Sequence, residues 1–293
     1  MTDFPVCYLR SVEIEVPDLL KSEIFYTNAW GLSVVAREPG SVYLRASGAA
    51  HHVLALHEAP SPALRCVVFR TADRDALDRV IAAGVASGCA QIDCAPDPAG
   101  GTLRAMREPG GMQMRLVHAD RLHGDAASVP GRPLRLAHIN VNSTDVDATA
   151  LFYEQVLGFR LTDRSKIMAF VRCNADHHAV VITEAAAGGL NHVAFLMPDL
   201  ESVMRGSGRV IDHGTPIGWG VGRHGPGDNV FAYFVDPLGF VVEYTAEVLQ
   251  VDDAYRVRGP AEWTWPPGRV DHWGIAPPKP DFVKKAQLAV PFA

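Results

Sequence analysis

The chain has 293 residues, of which 48% are hydrophobic, 20% charged and 8% aromatic, with a formal net charge of −6. This composition is typical of a globular protein and excludes a fibrous or largely disordered chain. The 27 basic residues are scattered and outnumbered by 33 acidic ones, so the basic footprint of a nucleic-acid-binding protein is missing. The length suits two domains of about 130 residues each.

The cysteines and the N-terminus predict a cytoplasmic protein without a membrane partner. The 5 cysteines are odd in number and form no CxxC pair, as expected of reduced thiols. Acidic residues near the N-terminus interrupt any signal-peptide core. Apolar runs stay well short of the roughly 18 residues that cross a bilayer.

Taken in chain order, each half of the sequence predicts the same succession of elements. An Asp before an apolar periodicity predicts a helix start, and a Gly after it predicts the end. The first half predicts strand Ser11–Val16, a helix ending at Gly31, strands Val42–Arg45 and Val53–Leu56, and a helix at about Arg74–Ala83. The second half predicts strand Leu136–Val141, a helix ending at Gly158, strands Met168–Arg172 and Ala179–Thr183, and a helix at about Leu200–Arg205.

The two halves are copies of one another. Phe25-Tyr26 recurs as Phe152-Tyr153, an offset of 127 residues (152 minus 25), and HHVLALHEA at 51–59 recurs as HHAVVITEA at 177–185. Such self-similarity indicates a tandem duplication. We therefore predict an α+β fold of four βαβββ modules in two domains, each a curved mixed sheet flanked by helices. The predicted division is an N-terminal domain at 1–120, a linker at 121–134, a catalytic domain at 135–250 and a Pro/Trp-rich tail at 251–293.

Three residues of the second half suit a mononuclear metal site. Strand alternation puts His138 on a polar face with Asn140 and Asn142. His192 heads the first strand of the next module, and Glu243 closes its last strand. A carboxylate in so apolar a strand is costly to bury unless it is paired or binds a cation. Two histidines and one carboxylate favour non-haem Fe(II).

The duplication provides an internal control for this assignment. The repeat places Ser11, Cys66 and Arg115 at the positions of the three candidate ligands. The first half retains the Phe-Tyr pair and the glycines but none of the three ligands. We therefore expect a metal in the C-terminal domain and none in the N-terminal domain.

The segment Gly222–Glu243 carries a family signature. It contains Gly222-Arg223-His224, Tyr233, the turn Asp236-Pro237-Leu238-Gly239 and the candidate ligand Glu243. Over roughly residues 8–250 the chain resembles the type I extradiol catechol dioxygenases of the vicinal oxygen chelate superfamily. Ala232 departs from the family, which has a larger apolar residue there.

The resemblance implies a reaction, its cofactors and an assembly. It implies extradiol (meta) cleavage of a catechol or substituted catechol, such as a 2,3-dihydroxybiphenyl-type substrate, with O2 as co-substrate. His138, His192 and Glu243 would bind Fe(II), with Mn(II) as the less common metal. Members of the family are usually homo-oligomers.

The resemblance also assigns roles to residues around the metal. His178 would be the catalytic histidine beside the oxygen site, with its neighbour His177 as the alternative. Tyr233 and His224 would bind the substrate oxygens and assist catalysis. Asp228 would line the same pocket together with Asn229.

Two other interpretations remain open at this point. The superfamily also contains glyoxalase-like isomerases and lyases, as well as non-catalytic small-molecule-binding proteins. The role of the tail is also undecided. Its tryptophans would cover the pocket mouth or join a subunit interface, and surface packing is the default expectation. They are Trp263, Trp265 and Trp273.

Overall fold

The computed structural model describes residues 4–293, and each half of the chain folds into one eight-stranded sheet. The first sheet comprises β1 (Val6–Val16), β2 (Ser33–Glu38), β3 (Ser41–Arg45), β4 (Leu54–Glu58), β5 (Ala63–Thr71), β6 (Ala90–Ile92), β7 (Thr102–Arg107) and β8 (Gln113–His118). The second comprises β9 (Arg135–Ser143), β10 (Arg160–Arg164), β11 (Met168–Arg172), β12 (Val180–Glu184), β13 (Gly189–Leu196), β14 (Trp219–Arg223), β15 (Val230–Val235) and β16 (Val241–Ala246).

Five α-helices flank the sheets or lie in the tail. They are α1 (Leu19–Ile24), which continues as a π-helical turn (Phe25–Ala29), α2 (Arg74–Ala86), α3 (Val146–Gln155), α4 (Leu200–Asp212) and α5 (Asp281–Ala286). Within residues 4–293, no helix has both the length and the apolarity needed to cross a membrane.

The two sheets have the same topology. Their strand orders are β2-β3-β4-β1-β5-β8-β7-β6 and β10-β11-β12-β9-β13-β16-β15-β14. In each sheet, two βαβββ modules join through antiparallel central strands, β1 with β5 and β9 with β13. The α+β class and the four modules are confirmed, while the exact domain limits stay a prediction. Strand β1 begins at Val6 rather than Ser11, because buried Arg10, paired with Asp97, breaks the apolar alternation that sequence patterns rely on.

The helix starts follow from the sequence. Asp18, Asp73, Asp145 and Asp199 each cap a helix, and each carboxylate accepts a hydrogen bond from the backbone N–H three residues later. These bonds satisfy donors that have no partner within the helix. The predicted helix ends were less accurate, since α2 runs to Ala86 and α4 to Asp212.

Aromatic packing joins the two halves. The Trp30 ring, fully buried, stacks on the Tyr244 ring with centroids 3.8 Å apart. The Tyr26 hydroxyl donates to Asp236 Oδ2 at 2.9 Å. Tyr244 directly follows Glu243 in strand β16. The contact between Tyr244 and Trp30 therefore places the domain interface directly behind the candidate metal site.

The end of the tail packs against both sheets. Leu190 N donates to Val290 O at 2.8 Å, and Leu64 N donates to Pro291 O at 2.8 Å. Val283 of α5 is fully buried. The tail tryptophans lie nearer the surface, because Trp265 is exposed and Trp263 and Trp273 are half-buried.

Candidate metal centre and active-site cavity

His138, His192 and Glu243 meet at the centre of the second sheet, on neighbouring strands β9, β13 and β16. The Nε2 atoms of the two histidines are 3.1 Å apart. Oε2 of Glu243 lies 3.3 Å from Nε2 of His138 and 3.1 Å from Nε2 of His192. All three side chains are buried.

The strand register explains this meeting. Ala194 pairs with His138 on one side and with Glu243 on the other. Paired residues of adjacent strands point to the same face, as do residues two apart on one strand. His192, two residues before Ala194, therefore projects between the other two side chains.

The buried carboxylate needs a positive partner. Among the described residues, neither oxygen of Glu243 has a hydrogen-bond partner, and the residue is 0% exposed. Burying an uncompensated carboxylate is strongly unfavourable, so the three side chains fit a cation. Adjacent ligand atoms on one ion, at bond lengths of about 2.1 Å, lie roughly 3 Å apart, close to the separations here.

Both histidines offer free lone pairs at neutral pH. Burial lowers the pKa of His138 to about 3 and that of His192 to about 4. A metal ligand must be a neutral imidazole. The low pKa values therefore leave the lone pairs available well below pH 7.

A hydrogen-bond network orients His192. Its Nδ1–H donates to Asn191 Oδ1 at 2.9 Å, which directs the Nε2 lone pair towards Glu243. Gln287 Nε2, at the end of α5, donates to the same oxygen at 2.7 Å. Asn191 Nδ2 in turn donates to Asn142 Oδ1 at 2.9 Å. No sequence pattern indicated Asn191 or Gln287, because their contacts join a sheet to the tail.

A cavity of about 80 Å³ lies in front of the two histidine ligands. The ring of His178 lines it, with its centroid 4.4 Å from that of His138. His177 is 0% exposed and its Nε2 contacts Asp163 Oδ2 instead. Of this adjacent pair, His178 is the residue that faces the cavity. The lining comprises His138, Asn140, Met168, Phe170, His178, Val181, His192, His224, Pro226, Asn229 and Tyr233.

Tyr233 and His224 form a polar pair in the cavity wall. The Tyr233 hydroxyl lies 3.0 Å from His224 Nε2, which is itself 3.8 Å from Glu243 Oε1. Burial, aided by the charge of Glu243, raises the pKa of Tyr233 well above its usual value. Burial holds the pKa of His224 well below its usual value. The phenol therefore stays a hydrogen-bond donor and the imidazole stays neutral.

Asp228 and Asn229 point in different directions. The Asp228 carboxylate accepts from His272 Nδ1 at 3.0 Å in the tail, so it lies at the rim rather than in the cavity lining. Asn229 lines the cavity and donates from Nδ2 to Thr245 Oγ1 at 2.7 Å. Its Oδ1 is buried without a hydrogen-bond partner among residues 4–293, so it is free to accept from a ligand.

The N-terminal copy has an internal cation where the second sheet has its candidate metal site. Val68 pairs with Ser11 and Arg115, just as Ala194 pairs with two of the candidate ligands. Arg115 Nη1 donates to Glu13 Oε1 at 2.7 Å. A guanidinium therefore neutralises the buried carboxylate of this sheet. The repeat alignment predicted the arginine at this position, but not its partner.

Two matched sheets of βαβββ modules, with a His-His-Glu cluster in one of them, define a protein of the vicinal oxygen chelate type. Residues 135–244 match the Glyoxalase/Bleomycin resistance protein/Dioxygenase superfamily. The solved structure of a Mn(II)-bound glyoxalase from Novosphingobium aromaticivorans is 32% identical, with a TM-score of 0.88 over 95% of this chain and 94% of that one. The chain belongs to this superfamily, as its signature predicted.

Two curated relatives are metapyrocatechases. Metapyrocatechase 2 of Cupriavidus necator is 34% identical over 139 residues, which are 46% of this chain and 41% of that protein. This alignment therefore spans less than half of that relative. Metapyrocatechase of Geobacillus stearothermophilus is 27% identical over 289 residues, 90% of this chain and 85% of that protein.

Proposed function

We propose that the protein is an extradiol dioxygenase that cleaves a catechol or substituted catechol, with Fe(II) held by His138, His192 and Glu243 and with O2 as co-substrate. The observation that carries the proposal is the buried, unpaired Glu243 carboxylate beside two neutral histidines at the base of a cavity. The metapyrocatechase relatives support the same reaction class.

Fe(II), held by His138, His192 and Glu243, would supply Lewis acidity for the catechol oxygens and the redox chemistry for dioxygen. The protein's own groups handle protons and orientation. His178 exchanges a proton with the bound substrate, because its ring lines the cavity beside His138. Tyr233 donates a hydrogen bond to the substrate oxygen on which negative charge develops, and His224 orients that hydroxyl.

The lining suggests which catechols fit. Its apolar members Met168, Phe170 and Val181 suit a hydrocarbon ring and exclude water, and the lining contains no lysine or arginine. We infer that the substrate is an uncharged catechol, because a carboxylate substituent would lose hydration without gaining a cationic partner.

A second candidate function is a metal-dependent isomerase, which the likeness to the Mn(II)-bound glyoxalase favours. Isomerases of this kind commonly move a proton with a glutamate or glutamine side chain. The lining offers histidines, asparagines and a tyrosine, and contains neither glutamate nor glutamine. This lining favours the dioxygenase.

The deciding experiment is anaerobic reconstitution with Fe(II), followed by oxygen-electrode measurements with simple, alkyl, aryl and carboxylated catechols. We expect one O2 consumed per catechol, a yellow ring-opened product and a preference for uncharged catechols. Turnover of a glutathione hemithioacetal without oxygen uptake would favour the isomerase. Binding of ligands without any bound metal would instead indicate a non-catalytic binding protein.

The remaining assignments belong to the same proposal. They are Fe(II) in preference to Mn(II), a cytoplasmic location and a homo-oligomeric state. Metal analysis of protein purified from cells grown with both metals tests the first, and sedimentation analysis tests the last.

A further inference from the structure

A chain of buried hydrogen-bonding groups leads from Asp163 to the cavity. Asp163 Oδ2 lies 2.9 Å from His177 Nε2. His177 Nδ1 lies 3.0 Å from His178 Nδ1. Asp163 and His177 are 0% exposed and His178 is 3% exposed, so water does not compete for these contacts.

The chemistry of the Asp163 carboxylate decides which atom donates in each of these hydrogen bonds. A carboxylate accepts hydrogen bonds, so the proton between Asp163 and His177 belongs to His177 Nε2. When His177 carries this one proton only, its Nδ1 is an acceptor. His178 must then donate from Nδ1, and its Nε2 lone pair is left for the cavity.

We propose that Asp163 is a positioning residue that sets the tautomer of His178 through His177, and so makes Nε2 of His178 a proton acceptor. The chemical role of that acceptor rests on the proposed function. After the substrate has bound, the O–H bond of one catechol hydroxyl breaks and an N–H bond forms at Nε2. The Nδ1–H of His178 remains donated to His177 throughout this step.

Two residues of the tail hold the Asp163 carboxylate in place. Arg258 N donates to Oδ1 at 2.9 Å, and the Tyr255 hydroxyl donates to Oδ2 at 3.1 Å. The Arg258 guanidinium lies 3.7 Å from Oδ2. Each carboxylate oxygen therefore has a fixed set of donors, and Oδ2 is the one directed at His177.

The N-terminal copy shows that the paired histidines do not by themselves require a carboxylate. His51 Nδ1 and His52 Nδ1 are 3.1 Å apart, as in the second sheet. The outer nitrogen of that pair, His51 Nε2, faces Arg121 Nη2 at 3.0 Å. Both halves of the repeat therefore have the histidine pair. Only in the C-terminal half does the Nε2 atom of the first histidine face a carboxylate.

The test is Asp163→Asn, because it reverses the direction of hydrogen-bond donation through His177 without changing the shape of the side chain. Arg258 N–H keeps the amide oxygen at the Oδ1 position, so the amide NH2 takes the Oδ2 position. There it donates one hydrogen to His177 Nε2 and the other to the Tyr255 hydroxyl oxygen, which turns from donor to acceptor. His177 must then donate from Nδ1, and His178 carries its proton on Nε2. In the Ser-His-Asp triad of serine proteases, the same carboxylate-to-amide change keeps the geometry but disables the enzyme, because the histidine takes the wrong tautomer.

The first readout is the histidine side-chain ¹H–¹⁵N spectrum of the full chain loaded with diamagnetic Zn(II). We expect Nδ1–H for His178 in the unchanged protein and Nε2–H in Asp163→Asn. The second readout is steady-state kinetics of the Fe(II) enzyme. Loss of general-base function predicts a fall in kcat of about 10²-fold or more, while KM and metal content stay within about twofold.

Tyr255→Phe is the matched control, since it removes one donor from the same carboxylate oxygen and keeps Asp163 opposite His177. It should leave the tautomer unchanged and kcat within a few-fold. His177→Phe keeps a ring in place without an acceptor, and it serves as the second variant if Asp163→Asn does not fold. It should lower kcat in the same way and retain the metal.

Three results would overturn the proposal. They are Nε2–H on His178 in the unchanged protein, a doubly protonated His177, and an Asp163→Asn variant with unaltered tautomer and kcat. If the unchanged enzyme consumes no oxygen with any catechol, the proposed function fails. The spectra still decide the tautomer in that case.

Discussion

At the scale of single residues, charge compensation separates the two sheets. Glu243 and Glu13 are both buried carboxylates near the centre of a sheet, at 0% and 1% exposure. Glu13 has Arg115 as its partner, whereas Glu243 has no hydrogen-bond partner among the described residues. In the metal-free protein, the buried glutamate is therefore tolerated in the first domain, where it is paired, and destabilising in the second domain, where it is not.

Glu243→Gln should abolish tight metal binding and still not destabilise the metal-free protein. Removing an uncompensated buried charge relieves a desolvation cost, so the metal-free unfolding free energy should stay level or rise by about 1–3 kcal/mol. Glu13→Gln is the control and should destabilise, because it leaves the half-buried Arg115 without its charged partner. Thermal unfolding with and without Mn(II) measures both effects. A Glu243→Gln variant that gains as much stability from Mn(II) as the unchanged chain does would contradict the assignment.

The buried histidines predict how the stability of the metal-free protein depends on pH. Burial lowers the pKa of His138 to about 3 and of His192 to about 4, whereas an unfolded histidine titrates near 6.5. As pH falls below about 6.5 the unfolded state binds protons that the folded state does not. The contribution of these histidines to the unfolding free energy should therefore decrease, by up to about 1.4 kcal/mol per pH unit for each histidine.

Urea unfolding at about pH 7 and about pH 5 measures this decrease. His192→Gln removes one of the titrating groups and should make the dependence shallower. Glu108 and Asp236, whose pKa values burial raises to about 7 and about 6, act in the opposite direction. The comparison with the variant isolates the histidine, and an equal pH dependence in the variant and the unchanged chain would contradict the low pKa of His192.

Residues differ in how far the sequence predicts them. His138, His192 and Glu243 are predictable because strand alternation sets their faces and the repeat supplies a copy without them. Asp163 and Gln287 are not, since their roles depend on contacts with the tail, whose irregular backbone has no sequence period. The shape of the cavity is likewise set by side chains from several strands and a loop.

At the scale of elements, helix α4 shows why local propensity under-predicts a packed helix. Its segment contains Gly206 and Gly208, which disfavour helix, and this shortened the predicted helix. A buried face that includes Val203, Gly206 and Val210 packs it on the sheet and extends it to Asp212. Tertiary burial therefore outweighs the cost of two glycines.

The two glycines of α4 should respond to alanine in opposite directions. A Cβ on Gly206 would lie 2.9 Å from Tyr244 Cε2, so Gly206→Ala should destabilise by about 1–3 kcal/mol through overpacking. A Cβ on Gly208 meets nothing within 4 Å, so Gly208→Ala should stabilise by about 0.5–1 kcal/mol. Urea unfolding of both variants tests this, and equal shifts of one sign would refute the packing argument.

At the scale of the whole molecule, the tail couples the fold to the candidate metal site. Its last residues pair with a strand of each sheet, and Gln287 reaches the oxygen that orients His192. Lys279, also from the tail, donates to Gln287 Oε1 at 3.0 Å. The repeat predicted two domains and one metal-binding half, but not that a third segment supports the ligand.

Gln287→Leu should weaken Mn(II) binding by about 10- to 100-fold, because the partner that fixes Asn191 is lost. The metal-free protein should keep most of its thermal stability, which separates this effect from general loosening of the tail. Leu288→Ala, at a neighbouring side chain that is 65% exposed, is the control and should bind Mn(II) normally. Titration followed by the electron paramagnetic resonance of free Mn(II) gives both affinities, and equal values would disprove the coupling.

The position of the tail in the chain has a consequence for biosynthesis. Domains generally fold in order as they leave the ribosome, so both sheets can form while the tail is still being made. His192 then has its neighbours Glu243 and Asn191, but Gln287 and the tail strand arrive later. A nascent chain should therefore bind its metal loosely, and tight loading should follow the docking of the tail.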